Sequence, residues 1–287
     1  MSPSRLIGCI IVHNEIAVQS FGFNRYLPIG KPEIAAEFLN RWGVDEIVLL
    51  DIGASSEGRS PNLKMVKDVA AKIFTPLTVG GGVSSLSDFQ ALLHAGADKV
   101  SVNTALIKTP ELLREAAEYA GSQCVIASID AVSSKTGYQT RSSDGSNSLA
   151  VEDAACLAEE MGAGEILLNS VTHDGSRAGF DLPLINKVCA VTSVPIIAMG
   201  GAGHPMHVVD LMQMDSISAV AIGNMFHHCE HSVAMIKAYA RNKGIAFRVA
   251  TSFEQDYVDF DEDGRLLKKE ESILDDIRRI SVEDDTI

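Results

Sequence analysis

The chain repeats itself. The stretch "DEIVLLDIGASSEGR" from Asp45 resembles "GEILLNSVTHDGSR" from Gly164, and "PLTVGGGV" from Pro76 resembles "PIIAMGGAG" from Pro195. Both pairs are separated by 119 residues (45 to 164, 76 to 195). A constant offset means two tandem copies of one supersecondary unit, so the fold must be one that two similar halves can build.

Apolar runs of strand length alternate with helical patterns throughout both halves. The spacing predicts strands at Arg5–Ile11, Glu46–Asp51, Leu77–Gly80, Lys99–Asn103, Cys124–Asp130, Glu165–Ser170, Pro195–Met199 and Ala219–Gly223. Continuous apolar runs suit parallel strands buried on both faces. Between them lie stretches such as "KPEIAAEFLNRWG" and "TPELLREAAEYAG", each ending in Gly, a helix C-terminal signal. Eight strand–helix units predict an α/β fold, a (β/α)8 TIM barrel of two half-barrels. A length of 287 residues with 46% hydrophobic content supplies the core such a barrel needs. The barrel pattern stops near Arg248, which divides the chain into a barrel over 1–250 and an acidic extension over 251–287. From Asp261 onward ten Asp or Glu face five Lys or Arg, so the extension is expected to be solvated and to make few core contacts.

Bulk properties exclude several functions. A net charge of −14 argues against a nucleic-acid partner. No apolar run is long enough to span a membrane, and the N-terminus "MSPSRLIGCIIVHNE" lacks a signal-peptide pattern. Five scattered cysteines without a CxxC pair read as reduced, mostly buried thiols of a cytoplasmic protein.

The active sites of such barrels lie at the C-terminal ends of the strands. Those ends carry two glycine clusters, Gly80-Gly81-Gly82 and Gly200-Gly201-Ala202-Gly203. Each is followed one strand later by a polar residue, in Asn103-Thr104 and at Asn224. Glycine lets backbone N–H groups approach an anion closely. Two such cradles suit a ligand with a phosphate at each end. The turn "HDGSRAGFD" from His173 could form a rim or contact the second phosphate. Asp130 closes its strand as a candidate general acid or base, or as a hydrogen-bonded structural carboxylate. Asp51 more simply supports the first cradle. The same 119-residue offset places Ile11 opposite Asp130.

The strand starts are unusual in another way. Arg5, Glu46, Lys99 and Glu165 each open a strand and belong together at the N-terminal mouth. Two cations and two anions there form either a sealing plug or a gate for a small molecule. The histidines of "HHCEH" from His227 and "HPMH" from His204 are poorly placed for a metal, and neither a metal nor a cofactor is expected. Phe38, Trp42 and the helical Met residues read as core.

At this level of detail the residues resemble a family. "TVGGGV" from Thr78, "DKVSVNTA" from Asp98, "SIDA" from Ser128, "GAGEILL" from Gly162, "DGSRAGFD" from Asp174 and "GGAG" from Gly200 are similar to the cyclase subunit of imidazole glycerol phosphate synthase. The resemblance covers roughly residues 5–250. It implies a half-barrel-repeat TIM barrel, a substrate phosphorylated at both ends, and a glutaminase subunit as partner. Ammonia from the glutaminase passes through the barrel in that family. By position, the ammonia gate falls on Arg5, Glu46, Lys99 and Glu165, and the partner face on Asp98 and Gln123. The phosphate sites fall on Gly82, Asn103 and Thr104, and on Asp174, Gly175, Gly201, Gly223 and Asn224, where Asn224 replaces the usual serine. One catalytic aspartate falls on Asp130. Its half-barrel counterpart, the family's proposed general acid, falls on Ile11, and a loop lysine falls on Gln19.

These departures are selective: the floor and the partner face match, whereas the cyclase chemistry does not. A branch of the family fits that pattern. It accompanies a glutaminase homologue and a sugar amidotransferase in surface-polysaccharide biosynthesis. The resemblance therefore implies an ammonia-conducting barrel of an amidotransferase complex. The alternatives are an authentic cyclase of histidine biosynthesis, with His13 or Glu15 as a displaced acid, and a stand-alone phosphate-binding barrel.

Overall fold

The computed structural model describes residues 4–248 apart from 136, 143–148, 215 and 228–231, together with residues 260, 261 and 267. Its strands are β1 (Arg5–His13), β2 (Ile16–Phe21), β3 (Arg25–Gly30), β4 (Glu46–Asp51), β5 (Leu77–Gly80), β6 (Lys99–Val102), β7 (Val125–Ser134), β8 (Gly137–Thr140), β9 (Glu165–Ser170), β10 (Ile196–Met199) and β11 (Ile217–Ile222). The α-helices are α1 (Pro32–Arg41), α2 (Ile52–Ser56), α3 (Leu63–Ala70), α4 (Leu86–His94), α5 (Thr104–Lys108), α6 (Glu111–Ala120), α7 (Val151–Glu160), α8 (Leu182–Cys189), α9 (Pro205–Met212) and α10 (Ser232–Asn242).

Eight of the strands are parallel neighbours in the order β1-β4-β5-β6-β7-β9-β10-β11, and β11 pairs back onto β1. The sheet is therefore a closed barrel, as the repeat requires. Closure buries both faces of each strand, which is why β1 is buried continuously from Arg5 to Val12. The helices cover the outside with their apolar faces; α3, for example, buries Met65, Val66 and Val69. Their starts are fixed by side-chain caps. Asn62 accepts from the Met65 N–H, Ser85 from Asp88 and Asp181 from Leu184. A second apolar cluster fills the barrel interior and includes Ile7, Cys9, Ile11, Val48, Ile126, Leu167, Ile197 and Met199.

Two additions depart from the sequence reading. β1 runs past Ile11 and turns back as β2, which pairs antiparallel with β3; β7 likewise runs past Asp130 and turns back as β8. The β1–β2 turn places Asn14 and Glu15 at φ of 50° and 62°. Two-residue hairpins of this kind usually carry Gly at the second position, so Glu15 hides the turn from a sequence reading. Both excursions stand at the C-terminal mouth, one per half-barrel.

Smaller corrections follow from packing. Phe38 is about half exposed on α1 and is not core, although it contacts Trp42 with ring centroids 6.0 Å apart. Of the four described cysteines only Cys9 is buried; Cys156 is exposed. Phe260, in the acidic extension, packs edge-to-face on Tyr239 of α10 at 5.3 Å. Part of that extension thus touches the barrel. Most of residues 251–287, and His228 to His231 of "HHCEH", lie outside the described residues.

Candidate functional site

The C-terminal mouth holds a cavity of about 250 Å³. Its floor is apolar, from Ile11, Leu50, Leu167 and Met199. Gly82, Asn103 and Thr104 line one side, and His13, Phe23, Tyr26 and Arg141 line another.

Asp130 reaches this cavity from β7. Asn103 Nδ2 donates to one carboxylate oxygen at 3.2 Å and Asn169 Nδ2 to the other at 3.1 Å. Burial pushes the Asp130 pKa up to about 6, against the pull of Asn169 and of the charge on Arg141. A carboxyl at that value is poised to give or take a proton near neutral pH. Asn169 Oδ1 is buried with no hydrogen-bond partner among the described residues. Asn169 and Arg141 escaped the sequence reading as site residues. Asn169 stood at a strand end, where its place beside Asp130 was available from the half-barrel register.

The first-half counterpart is aliphatic on both strands. Ile11 pairs with Leu50 across β1 and β4, whereas Asp130 pairs with Asn169 across β7 and β9. Of the two residues considered as a displaced acid, Glu15 is exposed and accepts a hydrogen bond from Asn62 at 3.0 Å, away from the cavity. His13 lines the cavity, stacks on Tyr26 at 4.9 Å, and keeps its Nδ1 buried with no hydrogen-bond partner among the described residues. Gln19 is buried within β2 and is not part of the cavity wall.

The first glycine cradle is built tightly. Gly82 has φ +73°, and a Cβ there would lie 2.5 Å from the Arg59 carbonyl, so only glycine fits. Its N–H donates to Ser55 Oγ at 3.3 Å. Arg59 grips Asp51, which also lines the cavity, with two hydrogen bonds of 2.7 and 2.9 Å.

The second cradle is arranged differently. Asp174, Gly175, Gly201, Gly223 and Asn224 lie at the same end of the barrel but do not line the cavity. Asn224 accepts from the Ser20 N–H at 3.1 Å and donates to the Ser20 carbonyl at 2.7 Å. Ser20 Oγ donates to Asp174 at 2.6 Å, and the Gly22 N–H to the Asp174 carbonyl at 3.1 Å. Burial raises the Asp174 pKa, with the Ser20 and backbone hydrogen bonds working against it. Gly175 packs so closely on the hairpin that a Cβ would lie 2.6 Å from Phe21 and from the Ser20 carbonyl. The Gly179 N–H donates to the Gly201 carbonyl at 2.9 Å.

The N-terminal mouth brings all four predicted charges together. Arg5 binds Glu46 at 2.8 Å and also Glu165, while Lys99 binds Glu46 at 3.3 Å and Glu165 at 2.6 Å. Each charge touches two of opposite sign, the condition under which buried ions are tolerated. Burial works against the Glu165 carboxylate, yet Arg5 and Lys99 hold its pKa below the ordinary value. Arg5 also donates to Ser218 Oγ at 3.0 Å, a fifth member unnoticed in the sequence although it stands near the start of the last strand. Asp98 and Gln123 are exposed at this mouth, where Asp98 caps β5 by accepting from the Leu77 N–H at 2.8 Å.

The histidines of "HPMH" serve local backbone contacts. His204 accepts from the Met206 N–H at 3.0 Å and His207 from the Gly203 N–H at 3.2 Å. Among the described residues no cluster of His, Cys, Asp and Glu could hold a metal, and no helix is long and apolar enough to cross a membrane.

A family model described as "Histidine biosynthesis protein" matches residues 5–232, the whole barrel up to the start of α10. The chain belongs to this family. Its relatives include a "Putative imidazole glycerol phosphate synthase subunit hisF2" of Vibrio vulnificus (strain YJ016), 41% identical over 267 residues, covering 92% of this chain and 98% of the relative. An "Imidazole glycerol phosphate synthase subunit HisF" of Clostridium botulinum (strain Okra / Type B1) is 39% identical over 259 residues, covering 87% of this chain and all of the relative. A HisF of Anoxybacillus flavithermus is 41% identical over 252 residues, covering 86% and 100%. The chain is thus HisF-like along the whole barrel. In family terms, the resemblance read from the motifs holds at the level of the HisF cyclase subunit.

Proposed function

We propose that this HisF-like barrel conducts ammonia from a glutaminase partner to an acceptor, with weakened cyclase chemistry of its own. The observation that carries this reading is the pair Ile11 and Leu50, at the register that Asp130 and Asn169 hold in the other half. A cyclase must move protons at two places on one substrate, and Ile11 moves none. The floor ring is complete, and Asp98 and Gln123 are exposed beside it. That combination supports a working partner face above an impaired mouth. Relatives carry names of synthase subunits, which supports a second subunit as partner.

The acceptor in this reading is a sugar, amidated by a sugar amidotransferase in lipopolysaccharide or O-antigen synthesis. Its support is the selective loss at Ile11 and Gln19. The test is reconstitution with the glutaminase homologue of the same organism. Glutamine-dependent amidation that needs this chain is expected. Absence of any complex overturns the reading.

One observation favours a second reading, an authentic cyclase of histidine biosynthesis. His13 reaches the cavity with an unpartnered Nδ1 and could act as the missing acid. Cyclase turnover abolished by His13→Ala would establish it.

A further inference from the structure

Besides His13 and Tyr26, three ionisable side chains line the cavity: Asp51, Asp130 and Arg141. Asp51 is paired with Arg59, and Asp130 is held by the amides of Asn103 and Asn169. Arg141 is left over. Among the described residues it forms no ion pair, and its guanidinium stands over the Phe23 ring, 5.7 Å from the centroid. A guanidinium is charged at every physiological pH and offers a planar fork of N–H donors. A contact with a ring uses its charge and leaves those donors for a partner.

The backbone holds this fork in place. The Arg141 N–H donates to the Asp130 carbonyl at 2.7 Å. One residue earlier, the Thr140 N–H donates to the Leu149 carbonyl at 2.8 Å, and the Leu149 N–H returns to Thr140 Oγ1 at 3.0 Å. Tyr138 Oη donates to Asp181 at 2.8 Å, which ties β8 to the start of α8. A residue anchored in this way loses little freedom when a ligand arrives.

The surroundings select the ligand. Burial raises the pKa of Asp130 and of Tyr26, Asp174 adds to the rise in both, and the charge of Arg141 opposes it in both. The mouth beside Arg141 is therefore already negative. One cation balances a monoanion, whereas a dianion such as a phosphate ester would meet Asp130 and Asp174 with half its charge unmatched. The planar fork also suits a carboxylate, which accepts two parallel hydrogen bonds. Within reach of the same charge, the rings of His13 and Tyr26 stack with centroids 4.9 Å apart and border the cavity, a surface for a flat ligand body.

We propose that Arg141 is a ligand-binding residue of the mouth, and that it takes the carboxylate of a small planar acid whose body rests on Tyr26 and His13. This wall is separate from the glycine cradles, and the proposal is independent of the glutaminase.

Calorimetric titration of the full chain with benzoate, benzamide and phenyl phosphate tests it. The three share one ring and carry a carboxylate, a neutral amide of similar shape and a doubly charged phosphate. Benzoate should bind the unmodified chain at least about tenfold more tightly than benzamide, the size expected of hydrogen bonds between charged groups. Arg141→Gln should abolish that preference and leave benzamide unchanged. Arg141→Lys keeps the charge but loses the fork, and should retain part of the preference. Arg141 is exposed, so both variants should unfold at the temperature of the unmodified chain. Benzoate binding that is absent, no tighter than that of benzamide, or unaffected by Arg141→Gln overturns the proposal. A larger loss for phenyl phosphate than for benzoate in Arg141→Gln gives the fork to a dianion and overturns the choice of carboxylate. A second measurement needs no variant: the Arg141 Nε–H resonance should shift as benzoate is added. An unmoved resonance places the acid elsewhere and defeats the proposal.

Discussion

Ile11 faces Leu50 across the β1–β4 pairing, and both side chains line the floor of the mouth. The same register in the second half joins Asp130 to Asn169. A fold with two equivalent halves thus presents one half that can move a proton and one that cannot. The asymmetry is chemical, since the backbone pairing is the same in both halves.

The consequence for turnover is direct. Loss of a positioned proton-transfer group slows a step by about 10²–10⁴-fold. The unmodified protein, given ammonia and the bisphosphate substrate of the histidine-pathway cyclase, should therefore turn over slowly or not at all. Ile11→Asp with Gln19→Lys should recover part of the rate only when the hairpin opens, because Gln19 is buried in β2. Steady-state assay decides. A rate equal to that of an authentic cyclase would defeat the conduit reading and point to His13.

At the floor, Asp98 is exposed and its carboxylate accepts the Leu77 N–H. Asp98→Lys should weaken binding of a glutaminase homologue and reduce its stimulated activity. The barrel should lose only about 1 kcal/mol, the value of one hydrogen bond. Pull-down affinity and thermal unfolding separate the two effects. Unchanged affinity would remove Asp98 from the partner face.

The barrel, its halves and the floor ring were legible in the sequence because each follows from strand periodicity and a fixed offset. Arg5 and Glu165 meet although 160 residues separate them, since both open strands of one closed sheet. The hairpin at the mouth was not legible. Glu15 at positive φ disguises its turn, and β3 ("RYLPIG") is largely exposed and contains Pro28, which weakens any strand signal. The hydrogen bonds between Ser20 and Asn224 depend on that hairpin, so they were hidden too. Arg141 follows β8, which was equally unforeseen.

A second hidden contact bears on stability. Lys237, 2% exposed in α10, binds Asp45 at 2.7 Å and the Arg248 carbonyl at 2.8 Å. Burial lowers the Lys237 pKa and raises that of Asp45, so each charge depends on the other. Removing one partner of a buried pair costs about 3–5 kcal/mol. Lys237→Ala should therefore lower stability by that order in chemical denaturation. A cost below about 1 kcal/mol would show that water reaches Asp45 and replaces the ammonium.

The Phe260–Tyr239 contact sets a limit on truncation. An aromatic pair contributes about 0.5–1.5 kcal/mol beyond its buried area. A wholly solvated extension would leave unfolding largely unchanged on deletion of residues 253–287; with Phe260 seated on α10 the deletion should lower the transition modestly. Phe260→Ala in the full chain should reproduce most of the loss. If it does not, residues of the extension other than Phe260 supply the stabilisation.

Asp130 gives a pH dependence of definite sign. Its pKa rises from 3.8 in the unfolded chain to about 6 in the folded one, chiefly through burial. The folded state therefore holds the proton more tightly. That contribution to stability is complete below about pH 4 and is lost as pH rises through about 6. At pH 7 the ionised carboxylate is a cost, on the order of 1–3 kcal/mol for a shift of this size. Asp130→Asn keeps the shape and removes the charge. It should stabilise the protein by that order at pH 7 and leave it nearly unchanged at pH 4. Its unfolding free energy should be flatter between these values than that of the unmodified chain. Asn103 and Asn169 complicate the exchange, because each donates to the carboxylate and an amide can accept at one oxygen only. Asn169→Ala therefore serves as the companion variant. It removes the strongest hydrogen bond holding the carboxylate ionised, so the Asp130 pKa should rise further and the pH dependence should steepen and move to higher pH. Denaturation curves at several pH values measure both. A pH profile identical in Asp130→Asn and the unmodified chain would mean that the carboxyl titrates at its ordinary value and is not poised for proton transfer.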